Sequence, residues 1–215
     1  MWLKTIVSKA HYNGLTPRNP FAQYRVNQNI KERQYLTEDE IKAVMTHEFA
    51  DKKLAYIRDL FVFASFTALS FVDIKELTTD DIVEINGEKW ILSKRHKTKV
   101  NFQVKLLDIP LQIIKRYEPF RKEKRLFNIG SLDMVNKRIK NIAKKCGIEK
   151  PVSFHLSRHS FAVMALNYGM PIESVSKILG HTDIKTTQIY AKVTNTKLNS
   201  DISAFENKIS GRFDI

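Results

Sequence analysis

Four side chains between residues 155 and 190 are suited to work on a phosphate group. His155 and Arg158 are three residues apart, so they project from one face if the apolar run after them is helical. His181 follows Arg158 by 23 residues, and Tyr190 follows His181 by nine. A guanidinium holds phosphate oxygens, an imidazole moves protons, and a phenol attacks as a nucleophile when a neighbour helps it to lose its proton.

The order and spacing of these residues resemble the catalytic core of the tyrosine recombinase (phage integrase) family. The signature of that family runs His-x-x-Arg, then a Leu-Gly-His turn, then a nucleophilic Tyr. The matching residues here are His155, Arg158, the turn at 179–181 and Tyr190. Four positions that agree in type and spacing are a specific signal, and the structural context of the motif is its test.

The resemblance implies cleavage and rejoining of one DNA strand at a time by transesterification. Tyr190 would attack the phosphorus and form a 3′-phosphotyrosyl bond that keeps the phosphodiester energy, so no ATP or other cofactor is implied. Arg158 would hold nonbridging oxygens, His155 would accept or relay the phenolic proton, and His181 would hydrogen-bond a phosphate oxygen. No metal is implied, because Arg and Lys take the role that Mg²⁺ has in other phosphoryl transfers.

Two basic segments accompany this core. Residues 89–107 hold six Lys or Arg and no acid, and residues 115–150 hold twelve against four acids. The resemblance identifies Lys97 with the family's mobile β-hairpin lysine, which would donate a proton to the leaving 5′ oxygen. The residues expected to contact DNA are Lys94, Arg95, Lys99, Lys137, Arg138, Lys140, Lys144 and Lys145. The alternatives are a solvated turn at Lys97 and a merely soluble, lysine-rich helix.

The sequence departs from the family at the first of its two arginine clamps. The usual segment resembles Thr-Gly-Leu-Arg, whereas residues 67–70 read Thr-Ala-Leu-Ser, so Ser70 stands at the arginine position. A serine supplies neither a charge nor a bidentate fork. Some integrases of mobile elements in Bacteroides-like bacteria resemble this segment closely, which favours a relocated clamp over a dead enzyme. The candidate replacement is Arg58, with Arg95 second; the alternative for Arg58 is an ion pair with a neighbouring acid.

Other functions fit part of the same stretch. A helix-turn-helix DNA-binding protein explains the turn at Gly180 and the polar residues after it, but not His155, Arg158 and Tyr190. A type IB topoisomerase shares the chemistry but relaxes supercoils as a monomer. An inactive recombinase remnant, which Ser70 favours, would bind DNA without cutting it. Each residue taken alone also has a structural explanation as a buried, paired or anchoring side chain.

Composition points to a polyanionic partner. The 215 residues carry a net charge of +13 with a pI near 9.7, and they are 43% hydrophobic. Double-stranded DNA is favoured over a membrane surface, because no long apolar span or lipidation motif is present. The single cysteine, Cys146, excludes an internal disulfide and fits a reducing cytosol. With no secretory signal in the sequence, a bacterial, cytoplasmic and nucleoid-associated protein is expected. No Cys/His set at zinc spacing is present in the sequence, so a structural metal is not expected.

The patterning predicts a mainly α fold with a small three-stranded antiparallel β-sheet. A capping box at Thr37 starts a helix, and apolar residues from Leu54 to Ala68 predict a core helix. Asn86-Gly87 predicts a type I′ hairpin, with a third strand at 102–106. Further helices are expected. One has the apolar positions Leu132, Val135, Ile139, Ile142 and Ala143, and the next runs from a Ser153 cap to Tyr168-Gly169. The last carries Tyr190 and is capped by Thr182 or Asp183.

The resemblance also divides the chain. A separate helical domain that clamps DNA precedes the catalytic domain in the family, and residues 1–34 are expected to hold its last helix and a linker. The chain would then be a catalytic half, engineered or truncated, with the catalytic domain at 35–215. A final helix is predicted from Leu198, Ile202, Phe205 and Ile209. This tail either folds back on its own domain or docks on a neighbouring protomer, as in the family's tetrameric synapse on DNA.

Overall fold

The chain divides into two compact units, residues 1–32 and 33–215. The computed structural model describes residues 2–24, 34–94, 101–121, 123–191 and 195–210. In the first unit, helix α1 spans Trp2–Tyr12 and ends before Gly14, whose φ of 74° suits a glycine. The Lys4 ammonium donates a hydrogen bond of 2.6 Å to the Tyr24 carbonyl within the same unit.

The second unit is mainly helical. Its helices are α2 (Glu38–Thr46), α3 (Lys52–Thr67), α4 (Phe71–Glu76), α5 (Asp108–Tyr117), α6 (Leu132–Lys145), α7 (Phe154–Asn167), α8 (Ile172–Leu179), α9 (Lys185–Gln188) and α10 (Asn195–Ile209). Its strands β1 (Ile82–Ile85), β2 (Glu88–Lys94) and β3 (Asn101–Lys105) form one antiparallel sheet in the order β1-β2-β3. The predicted fold class is confirmed. No helix in the described ranges is long and apolar enough to cross a membrane.

Helix α3 forms the centre of this unit and packs against α2, α5, α6 and α7. The apolar stripe predicted for α3 is buried. Most residues from Asp59 to Thr67 are buried as well, including the polar Asp59 and Ser65, because neighbours cover the helix on several sides. A helix enclosed in this way lacks a polar face, so its sequence periodicity understates its burial.

The sheet follows the predicted meander. Asn86 and Gly87 have φ values of 52° and 77°, and Ile85 pairs with Glu88 across a two-residue loop, which confirms the hairpin. β3 begins one residue earlier than predicted. Phe102 and Val104 of β3 are buried, whereas the residues between and beside them are exposed. One face of β3 therefore faces the core, as alternation in an antiparallel sheet requires.

The basic segment 115–150 runs through two helices and the connection between them. Helix α6 buries Val135 and Ile139 on its packed face, together with the two later apolar positions of the predicted stripe. Leu132, which was predicted to share that face, is 42% exposed because it opens the helix one turn before the first buried residue. Helix α5 has no counterpart among the predicted elements.

Candidate active site

Helix α7 positions two of the four signature residues. It begins at Phe154 with Ser153 at the N-cap, but the Ser153 side chain makes no capping hydrogen bond, so the predicted cap is wrong. The side-chain oxygen of Asn136, on α6, accepts the hydrogen bond of the Phe154 N–H at 2.8 Å instead. The start of α7 is thus fixed by a neighbouring helix. Its end at Tyr168 and Gly169, where φ is 83°, agrees with the prediction.

Arg158 lies between the ends of two other helices and is 9% exposed. Its Nη1 donates to the carbonyl of Ala68 at 2.7 Å, and its Nη2 donates to the carbonyl of Leu179. Ala68 is the C-cap of α3, and Leu179 is the last residue of α8. Carbonyls at helix C-termini lack intrahelical partners and carry partial negative charge. A cation placed between two such ends is held firmly in one orientation.

Ala68, whose carbonyl accepts from Arg158, lies two residues before Ser70, the residue that the family resemblance aligns with the first arginine. Ala68 adopts the left-handed conformation, with φ 57° and ψ 15°. Ser70 is the N-cap of α4: its hydroxyl donates to Asp73 Oδ2 at 2.7 Å and accepts from the Asp73 N–H at 3.3 Å. The Asp73 carboxylate in turn accepts from the Ser70 N–H at 3.2 Å. The Ser70 hydroxyl therefore stabilises the start of a helix.

Tyr190 lies in the turn after α9 and is half-buried. Its placement on a helix was predicted wrongly, because α9 ends at Gln188 and the Tyr190 N–H donates to the Thr187 carbonyl at 3.0 Å. The N-cap of α9 is Ile184 rather than Thr182 or Asp183, although the Asp183 side chain accepts a hydrogen bond from the Lys185 N–H at 2.9 Å just before the helix. A hydrogen bond joins the Tyr190 hydroxyl to Nδ1 of His159.

His155 and His159 lie one turn apart on α7. Their ring centroids are 4.4 Å apart with an interplanar angle of 78°, an edge-to-face contact. His155 is exposed, whereas His159 is 7% exposed and its ring lies 5.2 Å from that of Tyr190. His159 is not one of the four signature residues, and its contact with the phenol was not predicted from the sequence. The signal for it is the spacing of four after His155, which places both imidazoles on one helix face.

His181 is held by the turn that ends α8. Gly180 caps α8 in the left-handed conformation with φ 64°, and the His181 N–H then donates to the Ser176 carbonyl at 3.0 Å. A hydrogen bond of 2.8 Å joins Nδ1 of His181 to the hydroxyl of Thr187, which is fully buried. Thr187 fixes the ring of His181 from α9. The sequence had not singled out Thr187.

The structure places Arg58 in the ion-pair arrangement that was the alternative to a relocated clamp. Its Nε donates to Asp59 Oδ1 at 2.5 Å, and its Nη1 donates to the carbonyls of Met45 and His47 at 2.8 Å each. Arg58 precedes Ala68 by ten residues, about 15 Å along a helix axis. The guanidinium thus joins α3 to the C-terminal end of α2, and the replacement hypothesis gains no support.

The structure describes most of the predicted DNA-contacting residues, but not those between the second and third strands. Arg95, Lys97 and Lys99 lie outside the described residues. Arg138 is partly exposed, and its Nη1 lies 3.5 Å from the sulfur of Met134. The predicted lysines that the structure describes are all exposed: Lys94, Lys137, Lys140, Lys144 and Lys145. Four of these lie on α6, opposite its buried apolar stripe.

In the described site, the phenol of Tyr190 contacts the imidazole of His159. Arg158, which precedes His159 in the chain, has a buried guanidinium. An imidazole can take a phenolic proton, and a guanidinium can hold an anion. The arrangement is therefore suited to attack by a phenolic oxygen on a phosphate.

Comparison with known proteins bears on this site and on the fold. Tyrosine recombinase XerD of Listeria monocytogenes is 49% identical over 67 residues, which cover 31% of this chain and 23% of that protein. The match thus spans about a quarter of the relative's length.

Solved structures resemble most of this chain in fold. The XerH site-specific recombinase bound to palindromic difH substrate has a TM-score of 0.69 at 24% identity, covering 84% of this chain and 56% of that one. The Tn1549 transposon integrase in complex with circular intermediate DNA has a TM-score of 0.74 at 18% identity, covering 93% and 75%. At these identities the likeness concerns the fold. Residues 34–197, three quarters of the sequence, match the Phage integrase family, and the chain belongs to this family.

Proposed function

We propose that this chain is the catalytic part of a site-specific DNA recombinase or integrase, which cleaves and rejoins DNA strands through a 3′-phosphotyrosyl intermediate. The observation that carries the proposal is the hydrogen bond between Tyr190 and His159, the residue that follows the buried Arg158 on α7. A helix-turn-helix protein needs no phenol paired with a base. The relatives' names, tyrosine recombinase and transposon integrase, support the same conclusion.

Each signature residue has a role in this reaction. The Tyr190 oxygen attacks phosphorus, and the bond from phosphorus to the 5′ oxygen breaks. Arg158 holds nonbridging oxygens and stabilises the charge of the pentavalent transition state, with its orientation fixed by the carbonyls of Ala68 and Leu179. His181, oriented by Thr187, hydrogen-bonds a phosphate oxygen. Lys97 donates a proton to the leaving 5′ oxygen, and His155 supports transfer of the phenolic proton.

The substrate is double-stranded DNA bound mainly through its phosphates. The net charge of +13 and the exposed lysines of α6 support this, because cations that neutralise phosphates release counterions. The proposed location is the bacterial cytoplasm, in association with the nucleoid, where such a substrate is available. Ser70 at the first-arginine position supports an origin in a mobile element like those of Bacteroides-like bacteria. Lys94, Arg95 and Lys99 would contact DNA beside Lys97.

The partner besides DNA is a second copy of the chain. Helix α10 exposes the predicted apolar stripe: Leu198 is 47%, Ile202 54% and Phe205 62% exposed. An apolar helix face open to water is stabilised when a neighbouring protomer covers it. This supports docking of the tail in trans within a tetrameric synapse. We assign residues 35–215 to the catalytic domain and 1–34 to the end of a DNA-clamping domain with its linker.

Covalent capture on suicide duplexes tests the proposal. The chain is incubated with nicked duplexes whose sequence around the nick is randomised, so that loss of a short fragment traps the cleaved state. A denaturant-resistant protein–DNA band is expected, with the DNA attached through Tyr190. Tyr190→Phe keeps the ring but lacks the attacking oxygen, so it should bind duplex normally and form no adduct.

The alternatives give different results in the same assay. Duplex binding without an adduct at any sequence would indicate a non-cleaving DNA-binding protein or an inactive remnant, and would overturn the proposal. Relaxation of supercoiled plasmid by a monomer, without joining of two duplexes, would indicate topoisomerase activity. An adduct of equal yield from Tyr190→Phe would show that another residue is the nucleophile.

A further inference from the structure

The contact between Tyr190 and His159 involves a residue that the His-x-x-Arg signature does not include. The two are joined by a hydrogen bond between the phenolic hydroxyl and Nδ1, and their rings are inclined by 43°. His159 is 7% exposed and Tyr190 is half-buried, so the pair is largely shielded from water. A proton leaving the phenol along this bond is received by the protein.

We infer that His159 is the catalytic residue that takes the phenolic proton of Tyr190, an assignment that rests on the proposed function. Neutral His159 with its proton on Nε2 accepts, at Nδ1, the hydrogen bond donated by the hydroxyl. As the phenolic oxygen bonds to phosphorus, its proton passes to Nδ1. The 5′ oxygen leaves phosphorus and takes a proton from Lys97. On rejoining, the imidazolium of His159 returns its proton to the departing phenolic oxygen.

His155 is the competing acceptor, because the family resemblance gives it that role. It is exposed, and its ring packs edge-to-face on His159 with centroids 4.4 Å apart. A neighbour one turn away on the same helix face limits how the His159 ring can rotate. We therefore assign His155 as a positioning residue, which holds His159 in line with the hydroxyl of Tyr190.

Changing the acidity of the nucleophile separates loss of a proton acceptor from loss of packing. A fluorinated tyrosine, whose phenol is more acidic, is placed at position 190 by amber suppression in the parental chain, in His159→Leu and in His155→Leu. Single-turnover cleavage is then measured on one suicide duplex recovered from the adduct-forming pool. With natural tyrosine, His159→Leu should slow cleavage about 100- to 10,000-fold, the usual contribution of general base catalysis.

The fluorinated residue should recover at least about tenfold of the rate lost in His159→Leu, because an acidic phenol needs the acceptor less. It should change the parental rate by less than about threefold, and it should recover less of the lost rate in His155→Leu than in His159→Leu. Recovery in His155→Leu alone, or cleavage by His159→Leu at the parental rate, would overturn the assignment. The assignment would also be overturned if the fluorinated residue raised the cleavage rate of the chain with His155 and His159 intact by about tenfold or more.

Two further variants guard against misfolding. His159→Asn keeps a polar side chain beside the phenol but cannot take its proton, so it should bind duplex and unfold like the parental chain while losing as much cleavage. His47→Asn alters a histidine whose ring packs on Phe49, away from this contact, and should leave cleavage unchanged. If the parental chain forms no adduct, the proposed function fails. If the parental chain forms one but acidity has no effect in His159→Leu, only this inference fails.

Discussion

Arg58→Ala separates a structural arginine from a catalytic one. The Arg58 side chain is 12% exposed, and its partner Asp59 is 5% exposed. Removal of Arg58 deletes a charge-assisted bond of 2.5 Å to that carboxylate and two bonds of 2.8 Å to carbonyls at the end of α2. Breaking a buried ion pair by deleting one partner costs about 3–5 kcal/mol.

The carboxylate of Asp59 keeps other donors, which reduces this cost. Arg116 Nη1 and the Tyr117 hydroxyl each donate to Asp59 Oδ2 at 2.7 Å. Burial and the adjacent carboxylate raise the pKa of Tyr117, so its phenol stays protonated and continues to donate near neutral pH. We therefore expect Arg58→Ala to lower the free energy of unfolding by about 2–4 kcal/mol, which lowers the Tm by about 4–16 °C for a chain of this size.

The assay combines denaturation with cleavage of a suicide duplex, the rate being normalised to the folded fraction. That rate should stay within about threefold of the parental rate, because Arg58 is about 15 Å along the helix from Ala68, whose carbonyl accepts the hydrogen bond of Arg158. Arg116→Ala is the matched control: it removes a donor from the same carboxylate but is 56% exposed, so it should cost under about 1 kcal/mol. Unchanged stability with cleavage slowed about 30- to 1,000-fold would refute the structural role and identify Arg58 as the missing clamp.

Three further changes test other parts of the structure. Asn136→Ala removes the cap of α7 and should lower the free energy of unfolding by about 1 kcal/mol in urea denaturation, whereas Asn136→Asp keeps an acceptor and should cost less. Thr187→Val removes the hydroxyl bonded to His181 and should slow cleavage about five- to tenfold with duplex affinity unchanged; an unaltered rate would show that this bond does not orient the imidazole. Duplex affinity should fall on the order of a thousandfold between about 50 and 200 mM salt if about six phosphates are neutralised, and a salt-independent affinity would contradict the role of the α6 lysines.

The elements that the sequence predicted well are those with local signals. Thr37 and Glu40 form the predicted capping box, with both reciprocal bonds present, and the two-residue loop after Ile85 forms the predicted hairpin. Helix α5 lacks such a signal. Its N-cap is Leu107, which has no capping side chain, and Pro110 lies in its first turn, where proline is tolerated but also reads as a break.

Features that depend on residues far away in the sequence could not be predicted from the periodicity of one segment. The cap of α7 comes from Asn136, 18 residues before Phe154, whereas a local rule selects the adjacent Ser153. The burial of Asp59 inside α3 depends on donors from α5, 57 and 58 residues later. A pattern within one helix cannot contain such partners, because they come from other segments.

In the candidate site, too, the residues with a local sequence signal were predicted, whereas a contact between distant segments was not. Spacing identified His155, Arg158, His181 and Tyr190 as a set, because the family signature fixes them along the chain. The resemblance assigned the phenolic proton to His155, whereas the hydroxyl of Tyr190 meets His159, which shares one face of α7 with His155. This contact is set by the turn after α9, whose backbone directs the Tyr190 side chain toward Nδ1 of His159.

Arg158 joins stability to function in a way that affects how its variants are interpreted. Its guanidinium satisfies carbonyls at the C-termini of α3 and α8, and in the proposed mechanism it also holds a phosphate. Arg158→Ala would leave both carbonyls without this donor, and a lysine ammonium lacks the planar fork that reaches two acceptors in fixed directions. Loss of activity in either variant therefore mixes damage to the scaffold with loss of the clamp. Tyr190 and His159 are joined by a side-chain hydrogen bond, and their variants leave the carbonyl contacts of Arg158 in place, so these variants test the proposed proton transfer more directly.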